Sequence, residues 1–425
     1  MRLLSLLLAG ACAAGVFTPA EDLAYSEALA AVPAARTGWV AVAVVDGAGR
    51  PVHGARVEFK QVSSPFRFGC DLYRYQWFST PEENAEYARR FEALFDCATV
   101  PFYWSSFEPE PGAERWAQVD GLLEFCSSRG ILVRGQPLVW LCDDFYPGYA
   151  RRPFREARGL MLARVRRVVS RAKGRVRIWD VVNEAAACRG VRDEFALSEA
   201  ETVDFVAECF RAAREADPEA LLLYNEGGIM GDVDGAAPPY RFIEKLLARG
   251  APVDAIGIQA HFADRLPLDR VARTLDAYAR LGKPIHLTEL MLPSLGDWGA
   301  RYGEPGEWTE SLQAEFAARL YAVAFCRPFV KAVTWGELCD RYSTRKGAGM
   351  LRADLSPKPV YYSLRQLKEE WRMESASPVT DAQGRCEIGA FAGGYRVEVS
   401  WGGRRFADGV SVEPGRMAAV RITVR

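Results

Sequence analysis

Between residues 66 and 371 the chain repeats one pattern, in which a short apolar run is followed by a longer stretch with helical spacing. Strands that are buried on both faces of a parallel sheet have this nearly continuous apolar character. The eight strand candidates are residues 66–72, 97–103, 131–140, 176–184, 220–226, 255–261, 284–290 and 330–337. Eight strands, each followed by a helix, predict an α/β protein built as a (β/α)8 TIM barrel. A doubly wound open sheet is the rival fold, but no Gly-rich nucleotide loop follows the first strand.

The charge balance bears on the partners of this barrel. The 425 residues carry 54 basic and 55 acidic side chains, a formal net charge of -1. Such a surface has no overall attraction for nucleic acid or for anionic membranes, so neither is predicted as a partner. Hydrophobic residues make up 49% of the chain, enough for a sizeable core. We expect a monomer.

The first residues resemble a signal peptide, which we assign to residues 1–20. Arg2 precedes a short apolar run, and small residues follow it. The run is too short to span a membrane comfortably, and no later stretch is apolar enough. A secreted or periplasmic protein is therefore expected. Lipid anchoring at Cys12 is the alternative, although the residues before it fit that pattern poorly.

Cysteine and histidine usage argues against a metal site. The chain has 10 Cys and 3 His, and the spacings show no CxxC motif and no Cys/His cluster. We therefore predict no metal and no cofactor, and we interpret most cysteines as small buried apolar residues.

Two carboxylates stand where a TIM barrel places its chemistry. Glu184 and Glu289 close the fourth and the seventh predicted strands. The carboxyl ends of all eight strands meet at one mouth, where active sites of this fold lie. Hydrolysis of a glycosidic bond needs one carboxylic acid to protonate the leaving oxygen and one carboxylate at the anomeric carbon. The pair therefore predicts a glycosidase, and the rival interpretation is surface charges or helix caps.

Several motifs in barrel order resemble glycoside hydrolase family 10, the endo-1,4-β-xylanase family. They are PLVW (137–140), WDVVNE (179–184), YNE (224–226), IGIQAH (256–261), HLTEL (286–290), TWGE (334–337) and DRYS (340–343). The resemblance implies a retaining mechanism in which Glu184 is the acid/base and Glu289 is the nucleophile. It further implies a set of substrate-binding residues at the same mouth. These are Asn183, Gln259, His261, Trp140, Trp335, Gln136, Asn225 and Tyr103.

Some of these positions depart from the family pattern. Gln136 stands where the family has His, and Val100 and Tyr103 stand where it has Asn and Lys. Thr344 replaces a Trp, and Met291 replaces an Asp that orients the nearby His. The catalytic pair is intact, whereas the residues expected to hold the glycone-side sugars are changed. We therefore expect altered specificity toward xylan.

The two ends of the chain carry β-rich segments outside the barrel, at residues 38–61 and 376–425. Neither segment has enough strands for a core of its own. Joined, they resemble a carboxypeptidase regulatory-like β-sandwich. We predict a small all-β module split by the inserted barrel of residues 62–375. Two unrelated β extensions are the alternative.

The sequence thus predicts a retaining glycoside hydrolase acting on β-1,4-linked glycans, with a polysaccharide as its partner. An endo-1,4-β-xylanase acting on xylan or decorated xylan is the first choice. A barrel glycosidase for a different β-glycan is one alternative. A non-catalytic carbohydrate-binding barrel is another, but the presence of both carboxylates argues against it.

Overall fold

A computed structural model describes residues 16–142, 145–187, 193–262, 264–373 and 375–425. The chain forms two compact units. One unit comprises Arg67–Ala317 and Phe329–Tyr361. The other comprises the described residues up to Phe66, together with Ala318–Pro328 and Tyr362–Arg425. Most of the predicted signal peptide, including Cys12, lies outside the described residues, and it stays a prediction.

The first unit is the predicted barrel. Its parallel strands are β3 (Arg67–Asp71), β4 (Cys97–Pro101), β5 (Leu132–Gln136), β7 (Ile178–Asn183), β8 (Leu221–Glu226), β9 (Ala255–Ile258), β10 (Ile285–Leu290) and β13 (Val330–Trp335). Neighbouring strands pair in sequence around the ring, β13 pairs with β3, and β5 pairs with β7, so the sheet closes. All six residues of β7 are buried, as expected of a strand covered on both faces.

The predicted strand 131–140 is interrupted. It consists of β5 and a two-residue strand β6 (Val139–Trp140), and Pro137 lies between them. Proline has no N–H to donate to a strand ladder, so pairing stops at that position. β6 then pairs separately with the end of β7, where Trp140 faces Asn183 in the register.

Helices follow the strands as predicted. They are α2 (Pro81–Leu94), α3 (Trp104–Phe107), α4 (Trp116–Ser128), α5 (Phe154–Ala172), α6 (Glu199–Ala216), α7 (Pro238–Ala248), α8 (Leu268–Ala279), α9 (Glu310–Phe325) and α10 (Pro359–Glu370). α2 and α6 both begin with a capping box, in which Thr80 pairs with Glu83 and Ser198 pairs with Glu201. These reciprocal bonds satisfy backbone N–H groups that the first helical turn leaves free. A small hairpin, β11 (Asp297–Trp298) and β12 (Gly306–Glu307), lies in the segment after β10.

In the second unit, strands from both ends of the chain pair with one another. The strands are β1 (Thr37–Val45), β2 (Arg56–Gln61), β14 (Arg385–Phe391), β15 (Gly393–Trp401), β16 (Arg404–Val412) and β17 (Met417–Thr423). One sheet has the order β14-β1-β17 and the other β16-β15-β2. Val40, Val42, Val57, Val397 and Val399 belong to one buried cluster drawn from both sheets. In chain order the barrel therefore follows the second strand of this module and precedes its third. The likeness to the regulatory-like family stays a prediction.

A helix that we did not predict begins the described chain. α1 (Pro19–Arg36) has a capping box formed by Thr18 and Glu21, and a proline in its first turn. The TPAE signature was visible in the sequence, but it overlaps the predicted leader. Across the described ranges, no helix is both long enough and apolar enough to cross a membrane.

Candidate active site

The carboxyl ends of the barrel strands bring nearly all of the predicted site residues into one hydrogen-bonded cluster. Gln136 ends β5 and Trp140 ends β6, while Asn183 ends β7 directly before Glu184. The remaining contributors are Asn225 on β8, Gln259 and His261 after β9, and Glu289 on β10. Adjacent side chains of one strand point to opposite faces, so a single strand cannot form such a cluster. The closed ring brings the ends of several strands to one mouth and thereby assembles it.

Glu184 lies just beyond β7 in a strained backbone conformation. Its φ is 54°, in the left-handed region that residues other than glycine rarely adopt. Its N–H donates to the carbonyl oxygen of Asn225 at 2.9 Å, which helps to hold this geometry. The carboxylate accepts hydrogen bonds from Trp140 Nε1 at 3.1 Å and from Gln259 Nε2 at 2.6 Å. The side chain is therefore fixed by one donor on each oxygen.

Glu289 is held by three side chains. Its Oε1 accepts from Gln136 Nε2 at 2.6 Å and from Asn225 Nδ2 at 2.8 Å. Its Oε2 lies 3.1 Å from His261 Nε2. Hydrogen bonds to a charged carboxylate favour the ionised form and restrict its rotation. This arrangement suits a carboxylate that must stay ionised and keep one orientation.

Asn225 connects the two carboxylate neighbourhoods. Its Nδ2 donates to Glu289 Oε1 and to Asn183 Oδ1, both at 2.8 Å. Its Oδ1 accepts from Thr288 Oγ1 at 2.6 Å, so both hydrogens and the oxygen are engaged. Gly257 on β9 permits this packing, because a Cβ there would lie 2.5 Å from Asn225 Oδ1. Asn225 is thus bonded to residues on both sides of the site.

The environments of the two glutamates shift their pKa values in opposite directions. Burial raises the pKa of Glu184, and the negative charge of Glu289 raises it further, against the hydrogen bond from Gln259. Burial alone would also raise the pKa of Glu289. The hydrogen bond and charge of His261, with the charge of Arg134, lower the pKa of Glu289 below its ordinary value. One group is therefore suited to carry a proton and the other to remain charged.

Gln136 contacts Glu289 and also two residues, Tyr73 and Arg134, that we did not predict as part of the site. Its Oε1 accepts from Tyr73 Oη at 3.0 Å and from Arg134 Nη2 at 2.9 Å, while its Nε2 faces Glu289. Tyr73 lies two residues beyond β3, and Arg134 is on β5, two residues before Gln136. Arg134 also donates to the carbonyl oxygen of Thr288. No motif marks Tyr73, whereas a buried arginine in an apolar strand was a visible signal.

An aromatic cluster borders the Glu184 side of the mouth. Trp140 stacks on Phe145 with ring centroids 4.4 Å apart and an interplanar angle of 13°. Tyr103 lies beside both rings, with centroids 5.9 Å from Trp140 and 4.9 Å from Phe145. Its hydroxyl is 3.4 Å from that of Tyr73. Trp140 and Tyr103 are half-buried, so both can contact a ligand.

The prediction that Trp335 binds substrate is wrong in this structure. Its side chain is 0% exposed, and its indole N–H donates to the carbonyl oxygen of Ala348 at 2.8 Å. A ring that is covered on both faces offers no surface to a sugar, so Trp335 is a core residue of the barrel. Val100, which is also 0% exposed, cannot contact substrate either.

Beneath the cluster lies a buried charged layer. Asp180 Oδ1 lies 3.6 Å from Arg134 Nε, and burial raises the pKa of Asp180 to about 7. Asp180 therefore supports Arg134 through an ion pair. Glu226 accepts from Tyr224 Oη at 2.5 Å and from the N–H of Ala186 at 3.0 Å. Glu226 therefore holds the turn that follows Glu184.

Within the described ranges, no group of three or more His, Cys, Asp or Glu residues could hold a metal ion. The cysteines there are free thiols. The buried ones are Cys70, Cys97, Cys126, Cys209 and Cys339. Burial raises the pKa of Cys97 and of Cys126 to about 12, so neither thiol is suited to nucleophilic chemistry.

Comparisons with known proteins point to one family. The profile of Glycosyl hydrolase family 10 matches residues 62–367. Endo-1,4-beta-xylanase B of Thermotoga neapolitana is 29% identical over 278 residues, which are 63% of this chain and 78% of that protein. Endo-1,4-beta-xylanase C of Paenibacillus barcinonensis is 33% identical over 205 residues, 44% of this chain but only 19% of that longer protein. Among solved structures, xylanase 10B of Thermotoga petrophila in complex with xylobiose has a TM-score of 0.60 and 26% identity. The likeness covers 72% of this chain and 94% of the petrophila enzyme.

Proposed function

This chain belongs to glycosyl hydrolase family 10, and from that premise we propose that it is an endo-1,4-β-xylanase. The proposed substrate is xylan or a decorated xylan, hydrolysed with retention of the β configuration. Glu184 is the proposed acid/base and Glu289 the proposed nucleophile. The relatives whose names state this activity support the substrate class.

The observation that carries the proposal is the opposed tuning of the two glutamates. The raised pKa of Glu184 favours the protonated form, which can donate to the leaving oxygen. The three polar neighbours of Glu289 lower its pKa or bond its oxygens, and both effects favour the ionised form. A retaining glycosidase needs this division between a proton donor and a nucleophile.

The two steps follow from that division. Glu289 attacks the anomeric carbon while the glycosidic C–O bond breaks, and Glu184 delivers its proton to the leaving oxygen. The product of this step is a glycosyl ester on Glu289. Water then attacks the same carbon, Glu184 takes the proton of that water, and the ester bond breaks. Two inversions give net retention.

Retention is tested by following xylan hydrolysis with proton NMR. We expect the β anomer of the new reducing ends to appear first, with the α anomer growing only at the rate of mutarotation. Reducing-end release should be greater on xylan than on β-glucan or β-mannan. Prior appearance of the α anomer would exclude the retaining mechanism. Activity confined to another glycan would favour the alternative of a different β-glycan substrate.

Specificity within xylans is proposed to differ from the family pattern. Tyr103 and Gln136 occupy positions at which the family has Lys and His, and the Tyr103 and Gln136 side chains engage protein neighbours. Each hydrogen bond lost to a sugar hydroxyl costs on the order of 1 kcal/mol, or several-fold in binding. Val100, which is buried where the family has Asn, adds a third loss. Three such losses predict a kcat/KM on unsubstituted xylo-oligosaccharides about a hundredfold lower than for family members with the usual residues.

A decorated xylan should recover part of this loss, which a comparison of linear and arabinose-substituted oligosaccharides would measure. The segment between Met291 and Thr309 is the proposed source of compensating contacts. Of the aromatic residues in this segment, Trp308 is 1% exposed and packs against Trp298. Trp298 and Tyr302 are half-buried, so these two rings remain available to contact a substrate. An ordinary kcat/KM on the linear oligosaccharides would refute this expectation.

We also propose that the protein is exported, because Arg2 and the apolar run after it resemble a signal peptide. N-terminal sequencing of the protein recovered outside the cytoplasm tests this. An intact N-terminus on cytoplasmic protein alone would contradict it.

A further inference from the structure

We propose that Gln136 is a positioning residue for the nucleophile Glu289. Tyr73 and Arg134 fix the orientation of the Gln136 amide, and the amide nitrogen holds the Glu289 carboxylate by a hydrogen bond. The sequence assigned Gln136 to substrate binding. The structure shows its amide nitrogen 2.6 Å from Glu289 Oε1, the shortest hydrogen bond on that carboxylate. This inference rests on the proposed function, because it takes Glu289 as the nucleophile.

The orientation of the amide is fixed by chemistry. Arg134 Nη2, 2.9 Å away, can only donate, so it must meet the amide oxygen of Gln136. Tyr73 Oη donates to the same oxygen at 3.0 Å. The amide nitrogen is therefore turned toward Glu289, whose ionised carboxylate can only accept. A flipped amide would set two donors against each other at Arg134 and would leave the carboxylate without this donor.

Arg134 extends the clamp to the backbone. Its two terminal nitrogens lie 3.1 Å from the carbonyl oxygen of Thr288, the residue before Glu289. One guanidinium thus fixes both the peptide that carries the nucleophile and the side chain that holds its oxygen. Arg134 is 1% exposed and pairs with Asp180, so its own position is well determined. Because these contacts restrain its side chain, Gln136 has little freedom to turn away from Glu289 and bind a sugar.

The clamp has a consequence for the two carboxylate oxygens. Oε1 of Glu289 carries two amide donors, from Gln136 and Asn225, whereas Oε2 has His261. The charged and titratable groups that act on Glu289 or are acted on by it are His261, Arg134, Glu184, Asp180, Asp71 and Tyr103. The four negative or acidic neighbours disfavour the ionised form of Glu289. Loss of the Gln136 donor should therefore raise its pKa and allow its carboxylate to rotate.

The test is the rate at which Glu289 is trapped by a dinitrophenyl 2-deoxy-2-fluoro-β-xylobioside, read by intact mass and peptide mapping. The good leaving group makes protonation by Glu184 unnecessary, so the rate reports the nucleophile. In Gln136→Met we expect the limiting trapping rate to fall about tenfold. The acidic limb of its pH profile should move upward by about one pH unit. Tyr73→Phe, which keeps the ring and releases one anchor of the amide, should show a smaller shift in the same direction.

Gln118→Met is the matched control, because Gln118 is an exposed residue of α4 and should trap at the wild-type rate. A Gln136→Met protein with an unchanged limiting rate and pH limb, but a higher half-saturating concentration, would show that Gln136 only binds sugar and would overturn the inference. If Gln136→Met fails to fold, an unchanged pH limb in Tyr73→Phe overturns the inference in its place. Failure of the wild-type protein to label at Glu289 would instead remove the proposed function itself.

Discussion

Glu289→Ala is expected to abolish turnover on every glycoside, because no covalent glycosyl ester can form without this carboxylate. We expect kcat to fall by at least four orders of magnitude on xylan and on activated aryl glycosides alike. A better leaving group cannot compensate, since the missing step is the attack on the anomeric carbon. Initial rates on both substrate types measure the effect.

The controls address folding. Removal of the carboxylate takes away one hydrogen-bond partner from each of three side chains, Gln136, Asn225 and His261. A buried donor that is left without an acceptor costs about 1–3 kcal/mol. Thermal unfolding should therefore accompany the assays. Glu124→Ala, at an exposed glutamate of α4, is the matched substitution and should leave rates unchanged. Substantial residual activity of a folded Glu289→Ala protein would contradict the assignment.

Glu184→Gln is expected to separate substrates by their leaving groups. On xylan, the loss of the proton donor should lower kcat/KM about a thousandfold. On dinitrophenyl xylosides the first step needs little protonation, so kcat/KM should remain close to that of the wild type. Glutamine keeps the size of the side chain, and its one amide oxygen can still accept from Trp140 or from Gln259, which makes it the conservative variant.

The second step supplies an independent signature. Without a base to activate water, the glycosyl ester on Glu289 should accumulate. A small anion such as azide, which needs no general base, should restore turnover in Glu184→Ala and give a β-glycosyl azide. Because Glu184 has φ 54°, Glu184→Gly relieves the backbone strain and serves as a second azide-rescue variant. Equal losses on all substrates, with no effect of azide, would show that the two roles are wrongly assigned.

The expected pH dependence of activity follows from the pKa shifts of Glu184 and Glu289. Activity requires Glu289 ionised, and its lowered pKa extends the profile on the acid side. Activity on xylan also requires Glu184 protonated, and its raised pKa extends the profile on the alkaline side. The residual activity of Glu184→Gln on xylan should therefore lack the alkaline limb and keep the acid limb.

The sequence by itself was enough to predict the barrel and to propose Glu184 and Glu289 as the reacting pair. Eight apolar runs can be buried on both faces only within a closed or covered parallel sheet. Once the sheet closes, residues at the carboxyl ends of its strands must share one mouth. Glu184 and Glu289 could therefore be placed together from their strand positions alone. The interruption at Pro137 has an equally local cause, because proline lacks the N–H that strand pairing needs.

Only the tertiary structure decided which side chains face the site and what each one holds. Trp335 stands at a strand end like Trp140, yet Trp335 is fully covered and Trp140 reaches Glu184. Tyr73 and Arg134 meet Gln136, although Tyr73 is 63 positions away in the chain. In the second unit, the hydroxyl of Thr380 donates to the carbonyl oxygen of Val52, 328 positions away. Burial and hydrogen-bond partners of this kind depend on packing between distant segments, which local periodicity does not encode.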